Sequence, residues 1–299
     1  MVKGQFDGIV SGKVIVLDGR TIESVSNNGV VKKLGQTAIT PTWLGPGTVI
    51  LKPDLSQWIY TITDNDTWTS HIHLGSATGD HVIASIPSPD GNAFYQPFVW
   101  KASGVYMVKE ATGLGGAGPF LDYRFQLATF DSTTGKVTMV SPDCQAYDVL
   151  DDGTLICGQV GAGYLEVRPP SGQTKKIQVT IGGPANSTDA IAYFHVAVSP
   201  DARRVVAGRN GAKDPVINYQ MAIADLTASS AQPFGPLDYL PDAWLPDGRL
   251  IATHICAFAD WGGGPCNASL DGTYIFSADG ASHSLFFKLK PGSVVVGSI

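Results

Sequence analysis

The chain has 299 residues with 35 glycines, 19 prolines, 15% charged residues and a formal net charge of −6. Lysine and arginine form no cluster beyond pairs, so the basic stripe that nucleic-acid binding needs is missing and anionic membrane surfaces are disfavoured. No run of about 18 apolar residues occurs, which excludes a transmembrane helix.

The composition predicts an all-β chain. Turn-rich segments alternate with runs of Val, Ile, Thr, Tyr and Phe, which is typical of strands joined by hairpins. The first residues, Met1 to Gly12, lack the charged and apolar regions of a signal peptide. Scarce lysine and abundant serine, threonine, glycine and alanine still favour an extracytoplasmic protein, with no membrane insertion and no cofactor.

A short turn phrase returns along the chain between apolar runs. Proline presets φ for a turn, aspartate bonds its own backbone and glycine accepts φ > 0, so each phrase predicts a hairpin with a structural aspartate. A hairpin that returns every 36 to 62 residues predicts a repeat architecture. The phrases are Pro53-Asp54, Ser88-Pro89-Asp90-Gly91, Asp151-Asp152-Gly153, Ser199-Pro200-Asp201-Ala202 and Pro246-Asp247-Gly248.

Each phrase extends into a unit of four strands, a to d, with the phrase as the a–b turn. The first unit lacks a strand a, and the tail Ser293 to Ile299 is predicted to pair with it and close the set. Six units account for the chain, and a seventh is possible if Ala38 to Leu51 hides a partial unit. In units 1 to 6 in turn, the predicted b strands are Lys13 to Leu17, Gln57 to Ile62, Asn92 to Trp100, Thr154 to Val160, Arg203 to Gly208 and Leu250 to Ala257. The predicted c strands, in the same order, are Thr21 to Val25, Thr69 to Leu74, Tyr123 to Asp131, Tyr164 to Arg168, Tyr219 to Leu226 and Thr273 to Ser277.

The Ser-Pro-Asp-Gly phrases, with c–d turns such as Thr133-Thr134-Gly135-Lys136, resemble the TolB-type six-bladed β-propeller. The resemblance covers nearly the whole chain and implies a single all-β domain, residues 1–299, built of four-stranded antiparallel blades. For function it implies mostly binding, of protein partners or carbohydrates. Blade 1, which has no Pro-Asp turn, and blade 2, whose phrase has lost its glycine, depart from the pattern.

The four cysteines allow two pairs. Cys256 and Cys266 bracket a glycine-rich loop that a disulfide would staple. Cys144 and Cys157 flank the hairpin at Asp151, but counting outward from its turn does not place them opposite each other. A bridge there would be strained, so two buried thiols are predicted instead.

Propeller geometry locates the candidate functional residues. Strand a lines the central channel, the a–b and c–d turns share one face, and the b–c and d–a connections share the other. Long loops on a rigid scaffold are where binding residues usually lie, and three b–c insertions are predicted on this second face. They are Lys101 to Asp122, Asn210 to Asn218 and Phe258 to Asp271.

An aromatic and acidic set at the channel mouth is the predicted recognition surface. The alternative for each member is that it only plugs the channel or packs under the loops. The set comprises Tyr147, Asp148, Phe194, His195, Asp242, Trp244, Asp260 and Trp261. Four residues are weaker candidates for acid/base or metal-binding roles, namely His195, Asp148, Asp242 and His254.

Several other sites are excluded or disfavoured. Gly113 to Gly118 approximates Gly-x-Gly-x-x-Gly, but no helix and no Walker lysine follow, so it is not a nucleotide loop. No Gly-x-Ser-x-Gly nucleophile elbow occurs. His71 and His73 alternate on a strand, a spacing that suits a metal, but a solvated outer pair is the better interpretation and no metal is predicted.

Three functions remain, and the sequence leans away from an enzyme. The favoured one is a module that captures a protein or glycan on the b–c and d–a face of a larger extracytoplasmic protein. The alternatives are a hydrolase or lyase with its active site at the channel mouth, and a structural scaffold in an assembly. Convergence of the four acid/base candidates around a cavity would favour the enzyme, whereas a mouth filled by the aromatic residues would count against it.

Overall fold

The structure is a computed structural model that describes residues 2–3, 12–26, 29–38, 49–64, 66–88, 93–111, 124–158, 164–179, 193–210, 219–254, 267–288 and 293–298. These residues form 25 strands and one 3₁₀ turn, Ala268–Leu270. Nowhere in these ranges does a helix have the length and apolar character needed to cross a membrane.

The strands form six antiparallel blades, and the order within each blade runs from the innermost strand, a, to the outermost, d. Blade 1 contains β25 (Ser293–Ser298), β2 (Val14–Asp18), β3 (Thr21–Val25) and β4 (Val31–Gln36). Blade 2 contains β5 (Val49–Leu51), β6 (Gln57–Asp64), β7 (Thr69–Ser76) and β8 (Gly79–Pro87), and blade 3 contains β9 (Ala93–Lys101), β10 (Gly104–Ala111), β11 (Arg124–Asp131) and β12 (Lys136–Ser141). Blade 4 contains β13 (Gln145–Val149), β14 (Leu155–Gly158), β15 (Tyr164–Arg168) and β16 (Lys175–Gln178). Blade 5 contains β17 (Tyr193–Val198), β18 (Arg204–Asn210), β19 (Tyr219–Asp225) and β20 (Gln232–Leu237), and blade 6 contains β21 (Tyr239–Trp244), β22 (Leu250–His254), β23 (Gly272–Phe276) and β24 (His283–Lys288), with β1 (Val2–Lys3) added at its outer edge.

The six blades are joined by six apolar clusters, one between each pair of neighbours. Side chains alternate between the two faces of a strand, so each blade is apolar on both faces and packs against the blade before and the blade after it. The cluster of Val14 and Val16 from blade 1 with Ile251 from blade 6 joins the last blade to the first. The chain therefore forms a closed six-bladed β-propeller, as the sequence predicted, and β5 belongs to blade 2 rather than to a seventh unit.

Both ends of the chain close the ring. The valine-rich β25 pairs with β2 as the innermost strand of blade 1, with Val295 opposite Val16, which confirms the predicted pairing of the tail. The N-terminal β1, which was not predicted, pairs Val2 with Lys288 on the outer edge of blade 6. The first and last blades are thus held together on the inside and on the outside of the ring.

In blade 3 the predicted strand b is misassigned, whereas the predicted strand c corresponds to β11. The run Asn92 to Trp100, predicted as strand b, is the innermost strand β9, and the a–b turn is the short Ala102-Ser103. The Ser88 phrase therefore lies between blades rather than inside one. The error has a simple cause, because a Pro-Asp-Gly phrase favours a turn at any position of a blade.

The other four phrases are a–b turns whose aspartates cap the turn backbone, as predicted. Asp54, Asp152, Asp201 and Asp247 each accept a hydrogen bond from the backbone N–H two residues on, at 2.8–3.2 Å. Side-chain and backbone hydrogen bonds from Ser56 lower the pKa of Asp54. A carboxylate whose pKa is lower in the folded than in the unfolded protein stabilises the fold at pH values above its unfolded pKa. This contribution to stability is lost as the pH falls through the pKa of the folded protein.

Cys144 and Cys157 form a disulfide with a Cα–Cα distance of 5.2 Å, so the prediction of two buried thiols was wrong. Cys157 lies opposite Ala146, as counting from the turn indicated. Cys144 precedes the first paired residue of β13 and is not held by the regular ladder, which lets it approach Cys157. The Cys256 and Cys266 pair lies outside the described residues.

Candidate functional site

The two faces of the ring differ in the length of their connections. The a–b and c–d turns form what we call the turn face, and the b–c and d–a connections form the loop face. Between β2 and β25, all connections longer than six residues join strand ends at the loop face, and they are residues 37–48, 112–123, 179–192, 211–218 and 255–271. The b–c insertion of blade 3 is shorter than the predicted Lys101 to Asp122, because β10 occupies Gly104–Ala111.

Of the eight large apolar side chains that are exposed among the described residues, five lie towards the loop face, whereas Val30 and Val31 lie at the turn face and Val82 lies within β8. Trp68 and Leu270 belong to b–c connections, and Leu237 is the last residue of β20. Met139 and Val140 lie in the last three residues of β12, which also ends at the loop face. Exposed apolar groups clustered on one surface mark interaction sites more often than scattered ones do.

Trp68 is held in a left-handed backbone conformation at this face. Its φ of 50° is unusual for a bulky residue, and its carbonyl accepts a hydrogen bond of 2.9 Å from the Ser88 N–H. Asp64 caps the same turn through the N–H groups of Asp66 and Thr67. Trp68 is 37% exposed, so a fixed turn presents part of an aromatic residue to solvent.

Two residues of the predicted recognition set lie in the core. Tyr147 packs between blades 4 and 5 against Gly158, where a Cβ would come within 2.2 Å of its ring. Trp244 packs between blades 5 and 6, donates a hydrogen bond of 2.9 Å to the Ala197 carbonyl and stacks under Arg204. It is also the last residue of β21, at the turn face, and not at the predicted d–a end.

Asp148 links the innermost strands of blades 3 and 4. Its carboxylate lies 3.3 Å from the Lys101 ammonium and accepts a hydrogen bond of 2.7 Å from the Val149 N–H. Burial raises the pKa of Asp148, and the Lys101 charge opposes this shift. Since β13 ends at the turn face one residue later, Asp148 is an inter-blade tie rather than part of the loop face.

Asp242 and His254 belong to opposite faces of blade 6. Asp242 accepts a hydrogen bond of 2.6 Å from the Thr253 hydroxyl, and burial raises its pKa to about 7. His254 is buried and its Nδ1 lies 3.0 Å from Oδ1 of Asp271. Asp242 and His254 therefore each have their own partner. Asp271, which immediately precedes β23, was not among the candidates selected from the sequence.

The remaining candidates are described only in part. Phe194 and His195 lie in the loop-face half of β17, where their side chains are outside the described residues. Asp260 and Trp261 lie wholly outside the described residues. The four acid/base candidates occupy three different blades, and no hydrogen bond or ion pair joins any two of them in the part of the chain that the structure describes.

His71 and His73 point to the same face of β7 and have separate partners. Nδ1 of His71 lies 2.9 Å from the Ser85 hydroxyl, and Nδ1 of His73 lies 2.8 Å from the Asp80 carboxylate. Asp80 also accepts a hydrogen bond from the hydroxyl of Tyr60, whose ring stacks on His73. His73 is thus part of a hydrogen-bonded network of blade 2, while His71 bonds to Ser85 outside it, and both rings are only partly exposed.

No family model matches the chain, and no curated protein matches it. Among solved structures it is similar to the β-propeller domain of the Trilobed protease from Pyrococcus furiosus, with 9% identity and a TM-score of 0.48 over 89% of this chain and 73% of that chain. It is also similar to a protein from Lactobacillus plantarum, with 12% identity and a TM-score of 0.46 over 95% and 97%, and to hydrazine synthase from Kuenenia stuttgartiensis, with 14% identity and a TM-score of 0.44 over 81% and 65%. The chain thus spans just under two thirds of the hydrazine synthase chain. Because all three TM-scores lie below 0.5, the assignment of the fold rests on the strand pairing described above.

Proposed function

We propose that this propeller is a binding module that captures a protein or glycan partner on its loop face. The observation that carries the proposal is the exposed Trp68 on a hydrogen-bonded turn of that face, with Leu270 exposed in another b–c connection. The long connections join strands on the same side, and rigid strands with variable connections are a common arrangement for recognition. Aromatic groups dominate the energetics of both sugar and protein recognition.

The module is a single domain, residues 1–299, of the TolB type and part of a larger extracytoplasmic protein. The four Pro-Asp or Asp-Asp turns between strands a and b support the TolB-type assignment, since this is where that family carries its phrase. The disulfide between Cys144 and Cys157 supports the compartment, because disulfides persist in oxidising environments.

The recognition role is tested by removing an aromatic group from the loop face. Purified wild-type protein is titrated with chitin, xylan and cellulose fragments while tryptophan fluorescence is recorded. We expect binding to at least one of these polysaccharides, and Trp68→Ala to weaken it at least about tenfold, as expected for an exposed aromatic anchor.

The matched control is Val30→Ala, which removes an exposed apolar side chain from the c–d turn of blade 1 on the turn face. It should leave the affinity unchanged. If Trp68→Ala and Val30→Ala had the same effect at equal thermal stability, the loop face would not be the recognition surface.

The second candidate is a hydrolase or lyase, and the pair His254 and Asp271 favours it. A carboxylate on Nδ1 fixes the ring orientation and leaves Nε2 to exchange a proton with a substrate. The pair lies at the loop-face end of blade 6, where β22 leads into residues 255–271.

This candidate predicts an activity that depends on His254. Wild-type protein is assayed with p-nitrophenyl esters and p-nitrophenyl glycosides, and His254→Gln should abolish any turnover above that of buffer. His81→Gln, which changes an exposed histidine of β8 in blade 2, is the control and should retain it. Equal rates for both variants would remove His254 from the chemistry.

A further inference from the structure

His71 and His73 lie side by side on one face of β7, the third strand of blade 2. His73 is opposite Tyr60 of β6, which packs with Ile15 and Leu17 of blade 1. Residues two apart on a strand point to the same side, so both histidines are on the side of blade 2 that faces blade 1. Both are partly exposed there.

Hydrogen bonds to β8 hold one nitrogen of each ring. Nδ1 of His71 lies 2.9 Å from the Ser85 hydroxyl, and Nδ1 of His73 lies 2.8 Å from Oδ1 of Asp80. A carboxylate only accepts, so the proton of neutral His73 is on Nδ1 and the lone pair is on Nε2, and a serine hydroxyl can accept from His71 in the same way. Histidines that bind metals in proteins have this arrangement, in which the other ring nitrogen donates to a fixed acceptor.

The outer nitrogens of the two rings are open to solvent. Neither Nε2 atom has a hydrogen-bond partner among the described residues. In that part of the chain, the buried side-chain nitrogen and oxygen atoms without a partner are Nε1 of Trp58 and Oγ1 of Thr61. Because the two histidine Nε2 atoms are not among these buried atoms, water reaches both of them, and so does a hydrated ion.

Tyr60 holds the His73 ring from a second direction. The two rings stack with their centroids 4.8 Å apart and 19° between their planes. The Tyr60 hydroxyl donates a hydrogen bond of 2.8 Å to Oδ2 of Asp80 and accepts one of 2.7 Å from the Ala38 N–H. Asp80 is thus fixed by two donors, and the orientation of His73 is set before any ligand binds.

Carboxylates flank the histidine pair at both ends. Asp80 lies beyond His73 towards the turn face, and Asp64, on the same sheet face as His71, lies towards the loop face. Hydrogen bonds from Thr67 lower the pKa of Asp64, and the charge of His71 adds to this shift, so these two side chains are close enough to interact. Two negative charges beside the pair favour a bound cation.

We infer that His71 and His73 form a binding site for a divalent transition-metal ion, with their two Nε2 atoms as ligands. The Cα atoms of residues two apart on a strand are about 6.5–7 Å apart, and metal–nitrogen bonds are about 2 Å long, so one ion binds both rings when they tilt towards each other. Nδ1 lies near the Cβ and moves little in such a tilt, which keeps the bonds to Ser85 and Asp80. The described ranges contain no group of three or more histidine, cysteine or carboxylate side chains that could hold a metal, so water completes the coordination.

Cu²⁺ is the ion expected to bind this pair most tightly. Imidazole suits Cu²⁺, Ni²⁺ and Zn²⁺, and the affinity of nitrogen sites for divalent ions peaks at Cu²⁺, whereas Ca²⁺ and Mg²⁺ prefer oxygen ligands. The sequence disfavoured a metal here because it showed no third ligand beside the two histidines. It could not show that Ser85 and Asp80 orient both rings, since these contacts depend on the pairing of β7 with β8.

The first test titrates the protein with Cu²⁺ by isothermal titration calorimetry in mildly alkaline buffer. Wild type should bind one ion at this site, and His71→Gln should bind it about 100-fold more weakly, because a single imidazole loses the advantage of two linked ligands. His81→Gln, which removes a histidine from the opposite face of blade 2, is the matched control and should keep the wild-type affinity. Equal affinities of His71→Gln and His81→Gln, or no binding by wild type, would overturn the proposal.

The second test identifies the ligands by electron paramagnetic resonance of the Cu²⁺ complex. Wild type should show hyperfine coupling to two imidazole nitrogens, and His73→Gln, with its folding checked by thermal unfolding, should show coupling to one. Asp80→Asn keeps both ligands but removes the carboxylate behind His73, and it should weaken Cu²⁺ binding at least about tenfold. If His73→Gln does not fold, Asp80→Asn and His71→Gln still test the site. Coupling to fewer than two imidazoles in wild type, or Ca²⁺ that competes with Cu²⁺ on equal terms, would overturn the proposal.

Discussion

The double variant Cys144→Ala/Cys157→Ala is expected to unfold with a free energy about 3 kcal/mol lower than that of wild type. The bridge spans a sequence separation of 13 residues, and a closed loop of roughly this size restricts the unfolded chain by about that amount. Both sulfurs are buried between blades 3 and 4 with Phe98 and Leu127, so the variant also loses apolar contacts. Urea unfolding monitored by tryptophan fluorescence measures the difference.

Reductant supplies the control for this prediction. Wild type unfolded and refolded in dithiothreitol should lose most of the same stability, whereas the double variant should not respond to dithiothreitol. A wild-type protein that is equally stable in oxidised and reduced form would show that the bridge contributes nothing. A double variant that responds to dithiothreitol would point to a second disulfide elsewhere in the chain.

The disulfide also shows where counting along a hairpin fails. A regular ladder that starts with Val149 opposite Leu155 would place Cys144 opposite position 160, three residues further along the chain than Cys157 and past the end of β14. The bulge at Tyr147 removes one residue of that offset, and Cys144 leaves the ladder altogether. The sequence does not mark a bulge at Tyr147, because an aromatic residue is ordinary in a strand.

The strand content was predictable because β-branched runs and turn residues are local signals. The turn at Asp201 follows from the chemistry of Ser199 to Ala202, and the strands on either side of it follow from the apolar runs that flank this turn. Assigning a turn to its place in a blade requires partners far away in the chain. The Ser88 phrase was misplaced for this reason, since Ala102-Ser103 carries no signal that marks it as the a–b turn.

The candidate site was less predictable than the fold. Tyr147 and Trp244 were chosen because they were expected at the channel mouth, but aromatic side chains also fill inter-blade cores. Only the contacts with Gly158 and Ala197 separate the two roles. Trp68 was not chosen, because a tryptophan after an Asp-Thr turn carries no exposure signal in the sequence.

Trp58 is the side chain whose loss is expected to cost most. Its indole is buried between blades 1 and 2 beside Ile15 and Leu17, and Trp58→Ala should lower the free energy of unfolding by about 3–5 kcal/mol, the range for large aromatic residues in cores. Its Nε1 is buried without a hydrogen-bond partner in the described chain. Among the described residues, the indole is therefore held by shape and apolar contact.

Two glycines make the space for this ring. A Cβ on Gly35 of β4 would lie 2.0 Å from Cη2 of Trp58, and a Cβ on Gly75 of β7 would lie 2.0 Å from Nε1. Since neither glycine has a positive φ, an alanine there would not strain the backbone, and its cost is steric. Gly75→Ala should therefore force the indole out of its slot and cost about 3 kcal/mol or more, at the upper end for an overpacked core.

A double-mutant cycle separates the steric explanation from a general intolerance of blade 2 to substitution. With Trp58→Leu as the background, the space beside Gly75 is open, and adding Gly75→Ala should cost less than about 1 kcal/mol. The coupling energy would then be about 2–3 kcal/mol, as expected for residues in direct contact. Additive losses in urea unfolding would show that Gly75 is required for a reason other than Trp58, and the account of this interface as a ring packed into two glycine gaps would be wrong.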